Sequence, residues 1–208
     1  MTLVQMLDLA SVFVFALTGA LTASRAQLDI VGFVFIACLT AVGGGTIRDL
    51  LLGRVPVFWI ARPDYVLLAA AAAVMVFFTA HLIESRITAI RWLDACALAI
   101  AVAAGAGVAV AQGHGVVIIT LMGMATGCLG GLMRDVVCNE VPLVLKQGEL
   151  YVTAAFAGAA TAAMATLMLN MPPTSALLLC AGVTWALRAG SLAFGWQLPV
   201  YKSRPPRR

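Results

Sequence analysis

The chain has 208 residues, of which 62% are hydrophobic and only 11% charged, with a formal net charge of +4. Soluble domains carry about 25% charged residues, so this composition excludes an ordinary soluble domain and implies an integral membrane protein. There is no Gly-x-x-x-x-Gly-Lys-Ser/Thr loop and the only lysines are Lys146 and Lys202, which excludes an ATP-driven pump.

A bilayer-crossing helix needs roughly 20 apolar residues. Seven segments qualify, near 3–23, 30–52, 64–83, 93–111, 115–138, 149–169 and 174–195. The first has the small residues of a signal peptide (Ala20, Ala23 and Ser24), but no basic residue precedes it, so it is read as a span. Cys38, Cys96, Cys128, Cys138 and Cys180 form no Cys-x-x-Cys pair and are expected to be buried free thiols. His81 and His114 fall near span ends and read as interfacial. Neither a metal nor a cofactor is expected, and the chain is read as no enzyme.

The distribution of Lys and Arg sets orientation. With the N-terminus outside, Arg25, Arg86, Arg91, Lys146, Lys202, Arg204, Arg207 and Arg208 lie inside, and Arg54 and Arg62 lie outside. The C-terminus is then cytoplasmic. Its basic tail (196–208) suits anionic lipid heads rather than nucleic acid.

Sliding the chain against itself by 86 residues aligns an ordered set of identities. Leu7-Asp8 meets Leu93-Asp94, Gly19 meets Gly105 and Thr40 meets Thr126. Val55-Pro56 meets Val141-Pro142, and Tyr65 meets Tyr151. Each copy holds three spans, an odd number, so the second must enter from the opposite face. The fold class is therefore an all-α membrane protein of seven transmembrane helices, forming a single transmembrane domain. Spans 1–3 (repeat 1, about 3–90) and 4–6 (repeat 2, about 91–171) are inverted repeats, and span 7 (174–195) lies outside the symmetry.

The matching motifs are Gly43-Gly44-Gly45-Thr46-Ile47-Arg48-Asp49 and Gly130-Gly131-Leu132-Met133-Arg134-Asp135, late in spans 2 and 5. Glycines are poor helix formers, at about 1 kcal/mol each relative to alanine, so helices 2 and 5 are expected to break there. A break would free carbonyls able to replace the water shell of a cation. The other reading is that the glycines only let helices pack closely.

Adjacent helical residues point in different directions, so Arg48 is expected to pair across the repeats with Asp135 or another carboxylate, and Arg134 with Asp49. These pairs are either structural locks or parts of an ion pathway. Asp8 and Asp94 are either carboxylates at helix N-termini or acids at a pore mouth, and with Arg188 they are counted among the possible charge partners. Arg188, well inside span 7, calls for an internal carboxylate partner. Ala101, Gly105 and Ala109, at four-residue spacing, suit close backbone approach, inside the protomer or between subunits.

At these residues the chain resembles the bacterial relatives of the trimeric intracellular cation channels, some of which are described as glycine transporters. The resemblance rests on Gly43 to Gly53, on Gly130-Gly131-x-x-Arg134-Asp135, and on Phe194-Gly195-Trp196-Gln197-Leu198-Pro199. It implies a seven-helix protomer, a homotrimer, and one potassium-permeable pore per protomer lined by the glycine breaks. By motif, Gly43, Gly44, Gly45, Arg48, Asp49, Gly130, Gly131, Arg134 and Asp135 carry over as pathway residues. Leu129 departs from the pattern at the first glycine of the second copy, and the basic lipid-binding motif of the animal channels is not evident.

The expected function is a monovalent cation channel for K⁺ or Na⁺ in a bacterial inner membrane, with lipids and copies of itself as partners. The alternatives are a secondary transporter of a small solute such as glycine, and a non-conducting scaffold protein.

Overall fold

Helix α1 (Leu3–Arg25) starts at a capping box. Thr2 Oγ1 accepts from Gln5 N at 3.3 Å, and Thr2 N donates to Gln5 Oε1 at 2.9 Å. Helix α2 (Ile30–Leu51) is capped by Asp29, whose carboxylate accepts from Gly32 N at 2.8 Å. A single turn, α3 (Phe58–Ala61), leads into α4 (Asp64–Thr79). The second repeat follows as α5 (Arg86–Ala111), α6 (Val116–Val137), a 3₁₀ turn at Leu143–Leu145 and α7 (Val152–Leu167). Helix α8 (Pro173–Phe194) opens on proline, which needs no helical N–H partner there, and ends at Gly195 in the left-handed conformation.

This computed structural model describes residues 2–83, 85–146 and 148–199; the basic tail from 200 onward lies outside the described residues. Among the described residues six helical segments are long and apolar enough to cross a membrane, and α7 is a shorter apolar helix in the place that α4 takes in the first repeat. Val31, Phe35, Leu67, Phe78, Val117 and Leu178 face outward and exposed, as lipid contact requires. The chain is a multi-pass membrane protein.

Two boundaries differ from the sequence reading. Helix α5 begins at Arg86 rather than near 93, because its first turns are polar and project past the apolar run. Helix α7 begins at Val152 rather than near 149, because residues 148–150 are engaged by the end of α8 and the chain beyond it: Leu198 N donates to Gly148 O at 3.0 Å, and Leu150 N to Ser191 Oγ at 3.1 Å.

The inverted repeat holds in detail. Helices α1, α2, α5 and α6 form the centre, α4 flanks α1 and α2, and α7 flanks α5 and α6. Helix α8 packs on α5 and α7, filling one side only. Ala101, Gly105 and Ala109 are all buried within the protomer. A Cβ at Gly105 would stand 2.5 Å from Met122 O, so this small-residue stripe serves the α5–α6 contact inside the protomer.

The expected breaks at the glycines are not present. Helices α2 and α6 run without interruption through Gly43–Gly45 and Gly130–Gly131. The physical reason is close approach. A side chain at Gly44 would collide with the carbonyl of Thr126, and a Cβ at Gly130 would stand 2.5 Å from Thr40 O. Thr40 and Thr126 are themselves counterparts, so α2 and α6 cross backbone to backbone on the two-fold axis. Leu129, the departure from the motif, is the counterpart of Gly43, whereas the crossing is made at Gly44 and Gly130.

Candidate functional site

On either side of the crossing lies a buried cluster of one arginine and two aspartates. Arg48 Nε donates to Asp49 Oδ1 at 2.8 Å, and Arg48 Nη1 to Asp8 Oδ1 at 2.8 Å. In the second repeat, Arg134 Nε donates to Asp135 Oδ1 at 2.8 Å, and Arg134 Nη1 to Asp94 Oδ1 at 3.0 Å. Both guanidinium groups are fully buried. Each cluster fastens the loop that follows its helix, since Asp49 Oδ2 accepts from Phe58 N at 2.9 Å and Asp135 Oδ2 from Leu143 N at 2.8 Å.

These clusters correct two expectations. The arginines do not pair with the aspartate of the other repeat; each binds its own neighbour and the acid on the first helix of its own repeat. Adjacent side chains leave a helix about 100° apart, but the arginine stem is long enough to curl round to the next residue. Across the repeats, Arg134 Nη1 donates instead to Thr18 Oγ1 at 2.9 Å. Asp8 and Asp94 are not helix-terminal carboxylates either, for neither lies in the first turn of its helix. Both sit deeper because each is the partner that a buried arginine demands.

Glycines beside the crossing play lesser parts. Gly43 faces the end of Met133, and Gly45 faces the ring of Phe58. Thr46 Oγ1 donates to Val42 O at 2.7 Å and accepts from Trp59 Nε1 at 2.9 Å, away from both clusters. Gly131 lies close to both the Tyr151 hydroxyl and Asp94. Arg188 has the carboxylate partner expected of it: Nη2 lies 2.8 Å from Glu149 Oε2, without hydrogen-bond alignment, and the guanidinium stacks 4.9 Å from the centre of the Tyr151 ring.

Two hollows meet at Asp8. On the face carrying Thr2, a vestibule of about 390 Å³ is bordered by Gln5, Asp8, Arg54 and Gln112. Beneath it, at the crossing, a void of about 10 Å³ is bordered by Asp8, Ser11, Thr40, Gly44 and Thr126. That is room for one water.

A family model described as "Glycine transporter" matches residues 5–81 and again 91–167, the same offset of 86 that aligns the repeats. A TRIC trimeric intracellular cation channel orthologue from Rhodobacter sphaeroides is 43% identical, superposes with a TM-score of 0.89, and is covered over 94% of this chain and 100% of its own. The chain belongs to the TRIC family. A second TRIC cation channel is 28% identical over 99% of this TRIC-family chain and all of its own, with a TM-score of 0.86. The UPF0126 inner membrane protein YadS of Escherichia coli strain K12 is 34% identical over 96% of both chains.

Three features of this TRIC-family protein escaped sequence reasoning. Glu149 was not singled out as the partner of Arg188. Thr18 was not seen to reach Arg134, since its counterpart Ala104 has no polar group to mark the position. The Arg25–Glu140 ion pair, at 2.9 Å, joins the end of α1 to the loop after α6. In the 86-residue alignment Glu149 stands against Pro63 and Arg25 against Ala111, charges present in one copy only, while Glu140 stands against Arg54 with the sign reversed.

Proposed function

We propose that this protein is a potassium-permeable monovalent cation channel, with one pore inside each protomer of a homotrimer. Asp8 carries the reading: its carboxylate borders both the vestibule and the void beneath it, so an ion passing from one to the other goes by a negative group. The cluster of the second repeat sets Asp94 and Asp135 against Arg134 alone and so carries a net negative charge, which favours a cation over an anion, whereas in the first repeat Arg54 joins Arg48 in balancing Asp8 and Asp49. The pathway runs past Asp8, Arg48 and Asp49, through the crossing of Gly44 and Gly130 with the Thr40 and Thr126 carbonyls, and past Asp94, Arg134 and Asp135. The solved relatives at 43% and 28% identity are cation channels, the first of them trimeric, and this supports conduction and the trimer. Potassium is the ion that the family resemblance implies.

The orientation places the N-terminus outside a bacterial inner membrane and the C-terminus in the cytoplasm. Arg25, Arg86, Arg91 and Lys146 all fall on the face opposite Thr2, which makes that face the cytoplasmic one. Membrane lipids surround the exposed apolar faces.

A second reading, a carrier for a small zwitterion such as glycine, rests on the description of the matching family and on the vestibule. Asp8 and Arg54 border the same hollow and would suit an ammonium and a carboxylate respectively. Purified protein in liposomes separates the two. Rapid K⁺ efflux without a second solute supports the channel; saturable glycine uptake without K⁺ conductance supports the carrier and overturns the first reading.

A further inference from the structure

The two-fold relation between the repeats makes each mouth of the pathway a template for the other, and the mouths differ. On the Thr2 face, Ala111 ends α5 and Arg54 follows α2, and Arg54 borders the open vestibule. Arg54 Nη1 turns back to Asp49 Oδ1 at 3.0 Å, which leaves the hollow clear. At the opposite mouth the counterparts of Ala111 and Arg54, by the offset of 86, are Arg25 and Glu140. A glutamate cannot turn back to Asp135 as Arg54 does to Asp49, because the charges repel. Glu140 reaches instead to Arg25 on α1, and the two meet at 2.9 Å.

The acids beneath the two mouths follow suit. The Asp8 side chain keeps 9% of its surface exposed through the vestibule, and that of Asp94 keeps none. Tyr151 and its counterpart Tyr65 are equally buried, so the two mouths differ in their ion pairs and acids rather than in these rings. Arg25 belongs to repeat 1 and Glu140 to repeat 2, so any motion that widens this mouth by separating the repeats must part them.

We infer that the Arg25–Glu140 ion pair is a latch that holds this mouth of the pathway shut, with the gate between it and Asp94. The inference rests on the channel reading and adds to it the side and the contact at which the pore is controlled. Both side chains are about one-third exposed (34% and 32%), so the latch is weak enough to open and close reversibly.

The test is a charge-reversal series, Arg25→Glu, Glu140→Arg and the two together, recorded in planar bilayers. Each single change should raise the open-to-closed ratio about two- to fivefold, the range that an ion pair of this exposure supplies. The double change, which restores the pair with reversed polarity, should return the ratio to near that of the unaltered protein. Unchanged gating in both single variants, or a double variant whose effects add rather than cancel, would overturn the latch.

A readout independent of current keeps the two readings apart. Cys128 is buried on α6, and its labelling by a small thiol reagent, mapped by peptide mass spectrometry, should quicken severalfold in each single variant and revert in the double. Absence of K⁺ current from every protein, the unaltered one included, with this labelling pattern intact would sink the channel reading and keep the latch. Labelling that is the same in all four proteins would count against the latch whatever the currents.

Discussion

Gly130 and Thr40 meet as backbone against backbone: a Cβ at Gly130 would stand 2.5 Å from the Thr40 carbonyl oxygen, with no flexible side chain to give way. Gly44 meets Thr126 in the same manner across the two-fold axis. Gly130→Ala and Gly44→Ala should therefore push the central helices apart. Each should cost about 1–3 kcal/mol, the range for overpacking a tight contact. Gly43→Ala meets only the end of Met133 and should be neutral, or more stable by up to about 1 kcal/mol through helix propensity. Melting temperatures in detergent check the contrast. Equal behaviour of the alanine variants at 43 and 44 would remove the crossing as the reason for the glycines.

The same contact decides what was legible in the sequence. The 86-residue offset, the seven spans and the partnered Arg188 could all be read there, because repeated identities and a charge in an apolar run have few explanations. The state of the glycines could not. A Gly-Gly-Gly run is equally consistent with a broken helix and with two helices touching, and only the position of Thr126 separates them. The partner of Arg48 was likewise hidden. Charge pairing offered Asp135 or another carboxylate, with Asp8 among the candidates, but the helix-to-helix geometry that selects Asp8, at 2.8 Å, has no signature at residue 48.

The buried cluster predicts a specific coupling. Arg48→Ala leaves Asp8 without its guanidinium and Asp49 with only Arg54, and should cost about 3–5 kcal/mol. Arg48→Ala with Asp8→Ala should fall short of the sum of the single losses by about 0.5–3 kcal/mol, as contacting residues do. Arg48→Ala with Asp135→Ala should be additive, because they belong to different clusters. A coupling with Asp135 as large as that with Asp8 would contradict the pairing within repeats.

Arg188 joins α8 to the second repeat through Glu149 and the Tyr151 ring. Because the Glu149 side chain is 20% exposed, Arg188→Ala should cost about 3 kcal/mol, the lower end of the range for buried pairs. Tyr151→Phe keeps the ring under the guanidinium and should cost less than Tyr151→Ala. Thermal denaturation of the three variants tests the order, and a Tyr151→Ala variant as stable as Tyr151→Phe would remove the stacking contact.

Orientation is open to a simple check. A reporter fused after Arg208 should be active only in the cytoplasm, given the basic residues on the face opposite Thr2. Periplasmic activity of that fusion would invert the assignment and move the vestibule to the cytoplasmic side.

The central claim is that a cation passes Asp8. Its most direct measurement is the reversal potential of single-channel currents across a planar bilayer with a KCl gradient, for the unaltered protein and for Asp8→Asn. The account predicts discrete current steps that reverse near the potassium equilibrium potential, with a smaller unitary conductance in Asp8→Asn. Currents that reverse at the chloride potential, or a conductance that Asp8→Asn leaves unchanged, would contradict it.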